Sequence, residues 1–325
     1  MTPAGRAPDG AELGARLRAR DLSAAPAALN LLESRAPEDR RQAAALLGQL
    51  SPAALGGEAS AHVVGITGPP GAGKSTLLSA LAAAWRAQGR TVAVLAVDPT
   101  SRRSGGALLG DRARIEFDSH DEGVFVRSTA AGERLGGLAP ATRAAAEALA
   151  AAYDVVVIET VGVGQAETEV ADAVDTVAVI VQPASGDVLQ FLKAGVMEIP
   201  DVLVVTKADL GKPALATVRD LRAALRSLGA DGVPVVSVSS LAPPSGIEDL
   251  VGGLERHRAA LDLPGRRRQA RRAHALSDFL AEHGERGLRA LGGRREAQRF
   301  LDQQDPGLDV ASLTAALEAR APEQA

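Results

Sequence analysis

The run Gly68-Pro69-Pro70-Gly71-Ala72-Gly73-Lys74-Ser75-Thr76 constrains this chain more than any other. Its GxxxxGKS spacing lies between an apolar run, residues 62–67, and apolar residues at helical spacing, Leu77, Leu78, Leu81 and Trp85. A strand that turns through glycines into a helix aims backbone N–H groups and a helix dipole at one point, and that point suits phosphate. Lys74 is expected to reach the β- and γ-phosphates of a nucleotide, with the Ser75 hydroxyl on Mg²⁺. A glycine-rich turn with a chance lysine would leave the joint presence of strand, spacing and helix unexplained.

Strands and helices then alternate. Apolar runs predict strands at 62–67, 91–97, 123–127, 154–159, 176–182, 201–206 and 233–238, and helices fit near 74–88, 138–152, 213–228 and 246–262. Most runs are continuous Val/Ile/Leu rather than alternating, as in parallel strands covered on both faces. The expected fold is a doubly wound, mostly parallel α/β sheet with its ligand outside the carboxyl ends of the strands. Residues 1–10 read as a disordered start, 11–50 as short helices divided by Pro26 and Pro37, and 51–60 as a linker. The expected division is a helical extension over 1–60, a nucleotide-binding domain over 61–262 and a helical arm over 263–325. Aromatics make up only 2%, so the core must be aliphatic.

A formal charge of −4 gives no general pull toward nucleic acid, and no segment is apolar for long enough to span a bilayer. The absence of cysteine excludes thiolate metal sites and fits a cytoplasmic protein. Arginines stud the arm at 266–268, 271–272 and 294–295. They read as solvated helix faces rather than a nucleic-acid patch, because no aromatics interleave for base stacking.

Further motifs follow the loop at successive strand ends. Asp98-Pro99-Thr100-Ser101, then Ser104-Gly105-Gly106 and Leu109-Gly110-Asp111, place carboxylates where they could serve Mg²⁺ or an attacking water. Asp-Pro also favours a plain turn, and Gly-Asp a plain helix start. The run 154–159 ends in Glu159, followed by Thr160-Val161-Gly162-Val163-Gly164-Gln165. An acid there holds Mg²⁺ in phosphate-loop NTPases, and the Gly162 N–H could sense the γ-phosphate. Ras-type enzymes place a water-orienting glutamine after that glycine, whereas this chain has Val163, so slow intrinsic hydrolysis is expected. Gln165 is a substitute candidate.

Thr206-Lys207-Ala208-Asp209 has the shape of a guanine-reading motif. Asp209 would accept from guanine N1–H and N2–H, which adenine lacks, while the Lys207 stem covers the base. Threonine stands where asparagine is commoner. Ser239-Ser240-Leu241 supplies the last loop, whose backbone would contact guanine O6. Together these segments point to GTP and GDP.

These residues, with Gln182-Pro183-Ala184-Ser185-Gly186-Asp187 and the run 27–34, resemble the MeaB/ArgK GTPases, chaperones of adenosylcobalamin-dependent acyl-CoA mutases. The resemblance covers roughly residues 15–260. It implies a P-loop NTPase G domain of the signal-recognition and metallochaperone class, with helical extensions and homodimerisation. It also implies GTP hydrolysis that gates cofactor loading onto a methylmalonyl-CoA mutase or a similar enzyme. By position, Lys74, Asp98, Asp111 and Glu159 inherit catalytic and Mg²⁺ roles, and loop 183–200 inherits a segment facing the mutase. The chain departs from the family at 127–133, where an expected second arginine is absent, and in the arm, which lacks tryptophan.

Three other readings share parts of this pattern. A nickel-delivery GTPase needs soft or imidazole ligands. This chain has no cysteine, and its histidines, 62, 120, 257, 274 and 283, are expected never to cluster and read as surface or packing residues. A small-molecule kinase is opposed by Asp209 and the switch-like segments. A nucleotide-gated interaction module with incidental hydrolysis is the non-enzyme alternative.

Overall fold

The structure is a computed structural model that describes residues 9–34, 36–98, 115, 117–118, 120–130, 138–160, 166–183 and 200–321. It forms two compact units: residues 61–146 with 153–261, and residues 1–60 with 147–152 and 262–325.

The first unit is built on seven strands: β1 (His62–Thr67), β2 (Val92–Asp98), β3 (Val124–Ala130), β4 (Val155–Thr160), β5 (Thr176–Val181), β6 (Val202–Val205) and β7 (Val235–Ser237). Their order is β3-β2-β4-β1-β5-β6-β7, every pairing is parallel, and the loop-bearing β1 is central. β1, β4 and β5 are buried at every position, as expected of strands covered on both faces. One face, with Val64, Ile66, Val157 and Ile180, packs in a core with Leu77, Leu81 and Trp85 of α5 (Lys74–Ala87) and with the later helix Ile247–Ala260. On the other face Gly65 meets Ala166–Ala173, where an added Cβ would stand 2.5 Å from Val170 Cγ1.

The helices of the chain in order are α1 (Gly10–Arg18), α2 (Ala25–Glu33), α3 (Pro37–Gly48), α4 (Pro52–Leu55), α5, α6 (Pro140–Ala152), α7 (Ala166–Ala173), α8 (Lys212–Ser227), α9 (Ile247–Ala260), α10 (Leu263–Ala290), α11 (Arg294–Asp302) and α12 (Val310–Arg320). None is long and apolar enough to cross a membrane among the described residues.

Several sequence expectations shift. The expected disordered start ends early: Asp9 accepts from Glu12 N–H and begins α1 at Gly10, while residues 1–8 lie outside the described residues. The expected linker contains α4, because Ser51 caps it and Pro52 supplies a preset first turn. β3 runs on to Ala130 through Arg127, Ser128 and Thr129, which an edge strand accommodates. The apolar pattern also missed α7, only eight residues long with three polar positions near its start.

In the second unit α10 to α12 enclose Leu276, Phe279, Leu288, Leu301, Leu313 and Leu317. α10 contains non-helical Gly284, where two helical stretches meet at a kink. The arginines are not simply solvated. Arg271 makes a bidentate pair with Glu58 (2.9 and 2.8 Å) and donates to Pro306 O at 3.0 Å; Arg272 reaches Asp302, and Arg267 the Ala59 carbonyl.

At the amino ends of the first unit's strands, His62 Nε2 and His257 Nδ1 both bond the Thr176 hydroxyl, at 2.8 and 2.9 Å. The two histidines, far apart in sequence, therefore meet in space. His257 Nε2 lies 3.2 Å from Asp201 Oδ1.

Candidate functional site

The carboxyl end of β1 turns sharply. Gly68 has φ 149°, and a Cβ there would stand 2.5 Å from the Ile180 carbonyl oxygen. Gly71 and Gly73 take φ of 76° and 86°, so the loop folds back before α5 starts at Lys74. Lys74 is 7% exposed and donates to the carbonyls of Gly68 (2.8 Å) and Pro69 (3.1 Å). The ammonium sits inside the loop, where a phosphate oxygen would compete for it.

Parallel register sets Glu159 of β4 level with Ile66 of β1 and Ala96 of β2. Glu159 is 2% exposed and accepts a 3.1 Å hydrogen bond from Ser75 Oγ. A hydroxyl and a carboxylate meeting at the helix start form a hard-oxygen donor set of the kind Mg²⁺ takes. Asp98 closes β2 in this row of strand ends, while Asp111, Gly162, Val163, Gln165 and most of loop 183–200 lie outside the described residues.

The base-reading candidates stand beside the loop. Thr206 Oγ1 donates to Ala72 O at 2.7 Å and is 3.3 Å from Val181 O. The threonine that departs from the commoner asparagine thus ties the phosphate loop to β6. Lys207 Nζ donates to Gly71 O at 3.1 Å and to Gln182 Oε1 at 2.7 Å. Ser239 Oγ donates to Asp209 Oδ1 at 2.8 Å, and Leu241 N–H reaches back to Ser239 Oγ at 3.4 Å. This side-chain support is not legible in sequence, where 239–241 offers only backbone contacts, and Gln182 has no role there because its partner follows a different strand.

Away from this row, Glu282, His283 and Glu318 form the one group of three carboxylate or imidazole donors close enough to share a cation among the described residues, and both glutamates are exposed. His283 bonds Glu318 at 3.2 Å and its ring lies against Phe279, so a surface hydrogen bond accounts for the geometry.

A parallel sheet with a glycine-rich loop after its central strand, a lysine within that loop and a buried acid on the neighbouring strand define a P-loop NTPase domain. The model of a family described as methylmalonyl Co-A mutase-associated GTPase MeaB matches residues 8–286. A Pyrococcus abyssi protein named as a GTPase is 42% identical over 269 residues, spanning 80% of each chain. The Caenorhabditis elegans mitochondrial methylmalonic aciduria type A homolog is 41% identical over 198 residues, 58% of this chain and 49% of that protein. A crystal structure of a LAO/AO transport system kinase superposes with a TM-score of 0.65 at 28% identity, covering 95% of this chain and 96% of that one. The chain belongs to the MeaB family of GTPases.

Proposed function

We propose that this protein is a GTP-binding and GTP-hydrolysing chaperone that gates adenosylcobalamin loading onto, or protection of, a methylmalonyl-CoA mutase-type enzyme. The family's description and the methylmalonic aciduria relative support that client class. The observation that carries the nucleotide chemistry is the clustering of Lys74, Ser75–Glu159, Thr206–Lys207 and Asp209–Ser239 at one edge of one sheet.

On GTP binding, Lys74 exchanges the Gly68 and Pro69 carbonyls for β- and γ-phosphate oxygens, and loop N–H groups take the rest. Ser75 and Glu159, with Asp98 and Asp111, are the proposed Mg²⁺ ligands, directly or through water. An ion held by these residues would offset the charge that builds during phosphoryl transfer. Asp209, held by Ser239, accepts from guanine N1–H and N2–H, while the Lys207 stem covers the ring and the 239–241 backbone meets O6. Gly162 and the segment after Asp98 carry the state of the γ-phosphate to the client. The arm 263–325 is the proposed self-association element.

Turnover of GTP measured alone, and with an adenosylcobalamin-dependent mutase titrated in, tests the reading. With Val163 in place of a water-orienting glutamine, each event should take about minutes or longer alone and quicken with the client. Lys74→Ala should abolish both rates. A wild-type rate indifferent to every mutase would contradict the chaperone role.

A further inference from the structure

Lys207 adopts φ 54°, ψ 42°, a left-handed conformation shared by just one other non-glycine residue among the described ones, Arg20. That backbone costs on the order of 1–2 kcal/mol and persists where surrounding contacts hold it. Backbone bonds flank it, Ala208 N–H to Val238 O and Leu210 N–H to Lys207 O, both at 3.0 Å. The ammonium is held as well, by Gly71 O at 3.1 Å on one side and Gln182 Oε1 at 2.7 Å on the other. Lys207 is exposed, so water could have satisfied it without either acceptor. Gln182 follows the last β5–β6 rung, Val181 opposite Val205, so the two side chains leave adjacent strand ends.

We propose that Gln182 is a positioning residue for the guanine site, holding the Lys207 side chain in place before nucleotide arrives and so setting guanine-nucleotide affinity. The proposal deepens, and rests on, the reading of Lys207 and Asp209 as the base-reading pair. A lysine stem has four rotatable carbons and about 2 kcal/mol of rotamer entropy. Two fixed acceptors take up that freedom in advance, so binding does not have to. Glutamine has the needed reach; alanine lacks the acceptor, and glutamate keeps it at the same length.

The test measures GDP and non-hydrolysable GTP-analogue affinity by calorimetry, GTP turnover, and nucleotide-free melting for Gln182→Ala, Gln182→Glu, Lys207→Ala and the Gln182→Ala/Lys207→Ala double variant. Gln182→Ala should weaken both nucleotides about tenfold, the loss of one hydrogen bond to a charged group, and raise KM similarly while moving kcat by less than about twofold. Gln182→Glu should restore affinity. Once Lys207 is gone, removing Gln182 should add less than about twofold, because the two act as one unit. Wild-type affinity in Gln182→Ala beside a weakened Lys207→Ala would overturn the positioning role and leave the base reading standing. Wild-type affinity in Lys207→Ala would take Lys207 out of the base reading on which the proposal rests, and overturn the proposal with it. Lowered nucleotide-free melting with no rescue by glutamate would reduce Gln182 to a packing residue and overturn the proposal.

Discussion

At the scale of single residues, the site depends on side chains that hold other side chains. Ser239 occupies one oxygen of Asp209, the carboxylate proposed to read guanine. A carboxylate there discriminates by charge and donor count, because a base without paired N–H donors leaves it unsatisfied. Asp209→Asn replaces an acceptor with a donor, so preference should pass from GTP to xanthosine triphosphate in competition binding. Undiminished GTP affinity would take Asp209 out of the base site. The loop itself was legible because its residues are consecutive and their chemistry is local. The Thr206–Ala72 and Lys207–Gln182 bonds were not, since strand order decides which loops become neighbours, and a single chain does not print its strand order.

At the scale of elements, α9 is fastened to the amino ends of the strands by a relay. Asp201, His257, Thr176 and His62 join through three close contacts of 3.2, 2.9 and 2.8 Å. The Thr176 hydroxyl stands between the two imidazoles, and His257 Nε2 faces Asp201. His62 Nδ1 lies 3.7 Å from Glu255 Oε1. Other charges also face this residue: Asp175 from the start of β5, Arg258 from α9, and Arg90, which pairs with Glu255. Burial pushes the His62 pKa below its usual 6.5, outweighing the pull of Glu255. Glu255 is held down to about 2, first by His62 and then by Arg90.

The signs of the two shifts separate them. The unfolded chain takes up the His62 proton near 6.5 and the folded chain resists it, so stability falls as pH drops below that value. The Glu255 contribution is present above its ordinary 4.5 and fades only between there and about 2. Urea midpoints at about pH 7.5 and about pH 5.5 should therefore drop in the wild type, with a flatter drop in His62→Gln. Equal slopes would remove His62 as the source. Most strands were legible as apolar runs, but this relay was not: its members stand 114 and 81 residues apart.

At the scale of the whole molecule, the two ends of the chain supply most of the second unit. Arg271 and Glu58, 213 residues apart, are 9% and 14% exposed at their side chains and bond through both terminal guanidinium nitrogens. Removing one partner strands the other charge away from water, a loss of about 3 kcal/mol or more. Arg271→Ala should lower the midpoint of unfolding followed by far-ultraviolet circular dichroism; removing Glu58 as well should cost less than the two losses added. An unchanged midpoint would return this arginine to the solvated face expected from sequence.

The indole of Trp85 gives the molecule an uneven optical record. It is the chain's one tryptophan, 0% exposed, on the helix that Lys74 begins, and the single tyrosine, Tyr153, belongs to the same unit. Tryptophan and tyrosine emission is therefore a spectroscopic window onto the nucleotide-binding half, and the helical half, whose aromatic rings include Phe279 and Phe300 but neither of these, stays dark in it until someone writes one in.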